Sequence, residues 1–438
     1  MLSDLVNEVK GLHPLKHYGK VTQVVGLMIE SKGPKVSVGE ICYILVGKKV
    51  YRRIMVEVVG FRDENVLLMP FDLTHEIAPG SLVEATNRSL TIKIGSGLIG
   101  KVLDGLGQPF DGEDSVNGLS PFSTDNHPPN PLKRPRIHEP LSLGVRAIDS
   151  LFTVGKGQRI GIFAGSGVGK STLMAMIAKN SDADINIIAL IGERGREVRD
   201  FVERDLGPEG MKNTILVVAT SDQPALMRIK GAMTATAIAE FFRNQGLNVT
   251  LMMDSVTRVA MAQREIGLAV GEPPTTKGYT PSVFAFLPRL LERSGTNESG
   301  SITAFYTVLV DGDDMNEPIA DTVRGILDGH LVLDRKLANR GQFPAINVLT
   351  SISRVMNDIV TTPHQKAADK VRSFLSHYYD SEDLINIGAY KRGTNRQLDE
   401  AVQQYPSIIQ FIKQEVHEKI TLDEAVTQLI NEFGDGGR

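Results

Sequence analysis

The sequence predicts a multi-domain α/β protein: a small antiparallel β-barrel at the N-terminus, a central α/β core, and a helical C-terminal piece. Three observations carry this. The chain has 438 residues, enough for about three domains of roughly 150 each. Its first part consists of short apolar segments separated by glycine and proline at intervals too close for helices. From residue 159 the texture changes to strand-like apolar runs alternating with helix-compatible stretches, the pattern of a mostly parallel sheet covered by helices. The expected boundaries are 1–92 for a barrel that serves oligomerisation, 93–361 for the core and 362–438 for the helical piece.

The barrel strands are expected at 21–29, 40–46, 50–61, 65–69 and 90–94, with breakers at Gly33-Pro34, Pro70 and Pro79-Gly80. Tyr18, Tyr43, Tyr51 and Phe61 fall within these patterns and are expected in the barrel core. Residues 1–60 hold nine Lys/Arg against five Asp/Glu, which marks a solvated face or a contact with an anionic membrane or a partner protein. Between Pro121 and Pro140 stand six prolines; they fix φ and remove donors, so this stretch is an extended connector. Core strands are expected at 159–163, 185–191, 214–219, 249–253 and 302–310, with helices at 171–179 and 227–245. From Thr362 the pattern is helical, and Thr421, followed three residues later by Glu424 and then by an apolar stripe ending at Phe433, is a capping box that opens an amphipathic helix.

Composition excludes several classes. Charged residues are 23% and hydrophobic residues 41% of the chain, which rules out extensive disorder. Lys and Arg number 48 against 52 Asp and Glu, so the chain is no polycation for duplex DNA and any phosphate affinity is local. The single cysteine, Cys42, reads as a buried small hydrophobe in a protein of a reducing compartment. The first twenty residues lack the apolar core of a secretory signal, and no apolar run approaches the roughly 18 residues of a membrane span. A cytoplasmic location is expected.

Local phosphate affinity has one clear place. The stretch Ala164-Gly165-Ser166-Gly167-Val168-Gly169-Lys170-Ser171-Thr172 follows an apolar strand and opens an apolar helical pattern. Glycines let successive backbone N–H groups curl toward phosphate oxygens at a helix N-terminus, where the dipole also favours anions. Lys170 then reaches the β and γ phosphates, and the Ser171 hydroxyl ligates Mg²⁺. Ala164 replaces the first glycine of the simplest form of this motif, at a position that closes the strand. Some 85 residues on, an apolar strand ends in Asp254, the candidate for holding the metal's water shell. The strand at 187–191 runs into Gly192-Glu193-Arg194-Gly195-Arg196-Glu197. Chemistry gathers at the carboxyl ends of parallel strands, so Glu193 is the candidate to orient the attacking water, with Glu197 as the competing carboxylate.

With these residues in view, the chain resembles the flagellar and type III secretion export ATPases, which are similar in turn to the catalytic heads of rotary ATP synthases. The resemblance rests on the phosphate loop, the Gly192-Glu193-Arg194 turn, Met252-Met253-Asp254-Ser255-Val256-Thr257-Arg258, the stretch 273–281 and Ser351-Ile352-Ser353-Arg354. It runs in collinear order from the Gly100 turn to Tyr390. It implies a RecA-like P-loop ATPase core using ATP and Mg²⁺. It further implies that Arg354 is an arginine finger for a neighbouring subunit, that Phe343 stacks on adenine with Tyr390 flanking the base, and that Arg194 and Arg258 surround the phosphates. Read from residues alone, Arg354 is only a cation after an apolar strand expected at 346–349, where a structural salt bridge is an equal account.

The acidic stretch Asp311-Gly312-Asp313-Asp314-Met315-Asn316-Glu317 lacks the spacing of a calcium loop; the resemblance implies that it faces a central pore beside the loop at 271–278. The leading reading is a homohexameric ATPase that energises protein export by the flagellar type III secretion apparatus. The resemblance implies regulator and central stalk proteins, an export gate and chaperone–substrate complexes as partners, no nucleic acid, and a peripheral place at the inner face of the cytoplasmic membrane. Alternatives are a rotary ATP synthase-type subunit and an RNA-translocating hexameric ATPase.

Overall fold

A computed structural model of the chain describes residues 16–47, 52–72, 76–112, 118–310 and 314–434. Six strands close the N-terminal barrel: β1 (Tyr18–Val25), β2 (Met28–Lys32), β3 (Glu40–Val46), β4 (Arg52–Arg62), β5 (Asn65–Pro70) and β6 (Leu82–Ser89), in the order β1-β2-β5-β4-β3-β6, with β6 returning to β1. Every pairing is antiparallel. The interior is aliphatic, built from Val21, Ile29, Ile44, Val56, Val58, Leu68 and Val83. Cys42 lies wholly inside, and burial pushes its thiol up to about 12, as an inert packing residue requires.

Four expectations for the barrel change, the first being that the strand expected at 90–94 lies outside the barrel, where Thr91–Ile94 pairs with Ser120–Ser123. The run at 21–29 is a hairpin, because Gly26 takes φ 59 and turns the chain between β1 and β2. The closing strand β6 carries Glu84, Thr86, Asn87 and Arg88 and so has no apolar signature. It is nonetheless held in the sheet, where the largely buried Glu84 binds Lys16 at 2.5 Å and Arg53 at 3.4 Å. Tyr18 and Phe61 are on the surface, 48% and 51% exposed, while Tyr43 lies beneath the Arg53 guanidinium, 5.5 Å from its ring centre; Tyr51 lies outside the described residues. The basic excess of residues 1–60 is answered in part by later acids: Arg52 pairs with Glu76 at 3.5 Å and Lys32 with Glu64 at 3.9 Å, besides the Glu84 pairs.

After a two-stranded ribbon of β7 (Thr91–Ile94) and β9 (Ser120–Ser123), the core sheet forms from β8 (Val102–Leu103), β10 (Arg159–Ala164), β11 (Ile185–Ile191), β12 (Thr214–Ala219), β13 (Asn248–Asp254), β14 (Gly295–Thr296), β15 (Ser301–Leu309), β16 (Gly329–Leu333) and β17 (Ile352–Ser353). Their order is β17-β16-β10-β15-β13-β11-β12-β8, with β14 beside β15, and only β14 and β17 run antiparallel. All seven residues of β11 are buried, as expected of a strand covered on both faces. The helices Ala225–Arg243, Val256–Val270 and Pro281–Leu291 cover one face, and Lys170–Asn180 with the C-terminal helices covers the other. The expected strand at 346–349 does not form. Asn347 accepts the N–H groups of Leu349 and Thr350 at 3.1 and 3.3 Å and makes a turn there, and β16 takes its place beside β10.

The barrel is joined to the core by a buried ion pair, Lys230 Nζ to Glu57 Oε2 at 2.6 Å. At the other end, helices Thr362–Asp380, Arg396–Ile412 and Leu422–Phe433 pack on Arg146–Leu151. The capping box is present: the Thr421 side chain accepts the Glu424 N–H, and the Glu424 carboxylate accepts the Thr421 N–H. Gln414 stitches this piece to the core. It accepts the Arg146 N–H at 2.7 Å, donates to the Gly144 and Glu418 carbonyls at 2.8 and 3.0 Å, and its backbone N–H donates to the Phe343 carbonyl at 3.0 Å. Among the described residues no helix is long and apolar enough to cross a membrane.

Candidate active site at the carboxyl edge of the sheet

Strand β10 ends in Ala164, whose side chain is fully buried, so a methyl group fits where the loop has not yet begun to curl. Gly167 and Gly169 then take φ 76 and 90, the left-handed region that glycine enters without strain. Gly169 caps the helix Lys170–Asn180 without any side-chain hydrogen bond, leaving the first helical N–H groups for an anion.

Three strands deliver the charged groups. Lys170 Nζ stands 2.5 Å from Asp254 Oδ1 and 3.8 Å from Glu193 Oε1. The register of β11 on β13 pairs Leu190 with Asp254, which sets Glu193, just past the end of β11, near the carboxylate that closes β13. Asp254 Oδ1 also accepts the Thr307 hydroxyl at 2.7 Å. Glu193 is carried on a turn whose Gly192 has φ 73, and a Cβ there would sit 2.8 Å from Arg258 Cβ; only glycine admits both the turn and the arginine. The Glu193 carbonyl accepts the Ser221 N–H at 3.0 Å. Burial raises the Glu193 carboxyl to about 7, helped by the Asp254 charge and a hydrogen bond with Glu197 and opposed by Lys170.

Lys170, Glu193 and Ser221 line a cleft of about 660 Å³ together with Gly165, Ser166, Ser171, Thr172, Arg194, Glu197, Arg204 and Arg258, and Asp254 and Thr307 are buried behind Lys170. Val168 turns away into the core and offers only backbone. Arg258 enters from the helix Val256–Val270, whose cap Ser255 accepts the Arg258 N–H at 3.3 Å; its Nε has no hydrogen-bond partner among the described residues. Arg194 is more peripheral, its side chain 81% exposed and 3.4 Å from Glu197. Phe343 is 47% exposed, and its ring lies against the end of the phosphate loop, 3.5 Å from where a Cβ of Gly169 would be. Tyr390 does not line the cleft; its hydroxyl donates to Asp399.

Arg354 stands apart from the cleft. Its backbone N–H donates to the Asp328 carbonyl at 3.0 Å. The preceding Ser353 pairs with Gly329, which pairs with Ile160, four residues before Ala164, a rise of roughly 13 Å along β10. The exposed Arg354 thus sits at the amino edge of the sheet and the phosphate loop at the carboxyl edge. The loops at 271–278 and 314–317 do approach, with Lys277 Nζ 3.8 Å from Asp314; residues 311–313 of the acidic stretch lie outside the described residues.

Ser171 and Asp254 fit a divalent cation shared with a nucleotide. Glu193 and Asp254 crowd a single lysine, with Glu197 hydrogen-bonded to Glu193, and among the described residues no group of three potential ligand side chains could hold an ion alone, so phosphate and water would complete the sphere, as Mg²⁺ prefers. Sequence reasoning missed Thr307, Ser221 and Arg204. Thr307 had a signal, a hydroxyl in an otherwise buried strand that must find a partner.

Comparison with known proteins agrees with this architecture. Residues 144–353 match the nucleotide-binding domain of the ATP synthase alpha/beta family, residues 21–87 its beta-barrel domain, and residues 360–431 the EscN-type C-terminal domain of type III secretion ATPases. The chain is 66% identical to the flagellum-specific ATP synthase of Bacillus subtilis, covering 98% of each chain. It is 49% identical to the type 3 secretion system ATPase of Xanthomonas euvesicatoria, covering 94% of this chain and 92% of that one. The assembled ATPase EscN of enteropathogenic E. coli superposes with a TM-score of 0.89 at 44% identity, over 95% of this chain and all of EscN. The chain therefore belongs to the family of flagellum-specific ATP synthases and type III secretion ATPases, ATP-hydrolysing enzymes within the ATP synthase alpha/beta family.

Proposed function

We propose that the chain hydrolyses ATP with Mg²⁺ as a homohexamer and energises protein export by a flagellar type III secretion apparatus, each subunit lending Arg354 to its neighbour's site. The observation that carries the reading is the separation of Arg354 from its own phosphate loop by the length of β10. An arginine there reaches a γ phosphate only across a subunit boundary, and identical subunits in a ring complete every site. Support comes also from EscN, solved as an assembly and in complex with its central stalk EscO.

The roles follow from position. The loop N–H groups of Gly165 to Thr172 and the Lys170 ammonium bind the phosphates, Arg258 and Arg194 flank them, and Phe343 covers the base. Ser171 and Asp254 would hold Mg²⁺, which would supply charge neutralisation at the phosphate oxygens. Glu193, once ionised, orients the attacking water and takes part of its proton charge. Residues 1–92 form the ring contacts, with stalk, regulator, export gate and chaperone–substrate complexes as partners at the inner face of the membrane.

The test is specific hydrolysis against protein concentration for the wild type and Arg354→Ala. A trans finger gives activity that rises as rings assemble, and its removal lowers kcat by about 10³ to 10⁵. Activity linear in protein and indifferent to Arg354→Ala sinks the proposal.

A further inference from the structure

The amino end of β10 contains a second polar assembly, centred on a fully buried side chain. Gln158, with no solvent exposure, precedes the strand. Its Nε2 donates to the Asp328 carbonyl at 3.2 Å and to Ser353 Oγ at 3.0 Å, while its Oε1 accepts the Gly155 N–H at 2.9 Å. Ser353 Oγ in turn donates to the Thr153 carbonyl at 2.9 Å. The same Asp328 carbonyl accepts the Arg354 N–H at 3.0 Å, and the Asp328 carboxylate takes Arg159, the first residue of β10, through Nε and Nη2 at 3.0 Å each. One amide side chain therefore grips both residues that carry the Arg354 backbone.

We infer that Gln158 and Ser353 form a positioning clamp for Arg354, tying the arginine that each subunit offers its neighbour to the strand that bears its own phosphate loop. The inference rests on the trans reading of Arg354. Neither clamp residue lines the cleft, so neither is catalytic; they act through the arginine. A long side chain on an exposed edge reaches a phosphate with the required precision only if its backbone is fixed, because a displacement of about 1 Å can remove a hundredfold in rate.

The experiment uses the full-length assembled protein and four variants: Ser353→Ala, Ser353→Thr, Gln158→Leu and Arg354→Ala, with Ser353→Ala also placed in the Arg354→Ala background. The clamp predicts that Ser353→Ala and Gln158→Leu each lower kcat about tenfold with KM for ATP within about twofold. Ring size by light scattering should stay unchanged, Ser353→Thr should restore activity, and Ser353→Ala should cause no further loss once Arg354 is gone. Unchanged kcat in both clamp variants, beside an inactive Arg354→Ala, overturns the clamp and leaves the finger standing. A loss that persists in full in the Arg354→Ala background also overturns it, since the effect would then run through the subunit's own loop. Full activity of Arg354→Ala alone removes the trans reading and the clamp together.

Discussion

The two ends of β10 are built in opposite ways. At its carboxyl end, polar groups converge without being matched: Lys170 faces two carboxylates, Glu193 is held near 7, and Arg258 Nε has no hydrogen-bond partner among the described residues. Two glycines at positive φ keep backbone N–H groups turned outward. At its amino end, the side chains of Gln158 and Ser353 spend their hydrogen bonds on neighbours, and Arg159 meets Asp328 through two donors. A site meant for a highly charged substrate stays incomplete until that substrate arrives, whereas a site meant to aim a side chain elsewhere is closed within the fold.

This contrast can be broken by substitution. Changes at the carboxyl end should strike rate more than stability. Glu193→Gln is expected to lower kcat by about 10² to 10⁴ with nucleotide affinity kept, measured by phosphate release and nucleotide titration. The same carboxylate should give kcat/KM a rising limb near pH 7, because Glu193 is protonated below its raised value of about 7 and ionised above it. That limb should vanish in the glutamine variant. Folding favours the protonated form of this acid, so stability is lost as pH rises from the unfolded value toward 7, and Glu193→Gln should melt above the wild type at pH 8. Phe343→Ala should raise KM for ATP about tenfold, the loss of one base stack. Gly192→Ala, strained at φ 73 and crowding Arg258, should cost about 1 to 2 kcal/mol and a few-fold in activity.

At the amino end the order reverses. Asp328→Ala strips the half-buried Arg159 of its two-donor partner and should lower stability by about 2 to 3 kcal/mol in denaturant titrations. A cleft substitution that destabilises this strongly, or an Asp328→Ala that does not, would erase the distinction.

Much of this was legible in the chain before folding was considered. The phosphate loop, Asp254 and Glu193 were readable because each couples a residue type to the end of a continuously apolar strand, and burial on both faces makes such strands conspicuous. The strand β16 was not, since Gly329, His330 and its half-buried alternation dilute its signal, and β6 hid its role behind polar residues that pair instead of packing. Tyr18 and Phe61 misled because alternation does not say which face points inward. Gln158 was invisible: a glutamine before a strand carries no pattern, and its partners lie roughly two hundred residues downstream. For Arg354, the resemblance offered a role, but only the register of β10, β16 and β17 supplied its distance from the loop.

Gln414 carries a practical consequence for dissecting the molecule. Its four hydrogen bonds join the stretch from Gly144 to Arg146, the Phe343–Pro344 peptide and the turn before the last helix. A fragment cut at 361 would leave the Gly144 and Phe343 carbonyls and the Arg146 N–H without their partners, each a cost of about 1 to 3 kcal/mol where it remains buried. The shortest piece able to keep Phe343 held against the phosphate loop therefore runs beyond Glu418, and limited proteolysis of the intact protein should spare the segment between Arg396 and Glu418 long after it has nicked the surface loops.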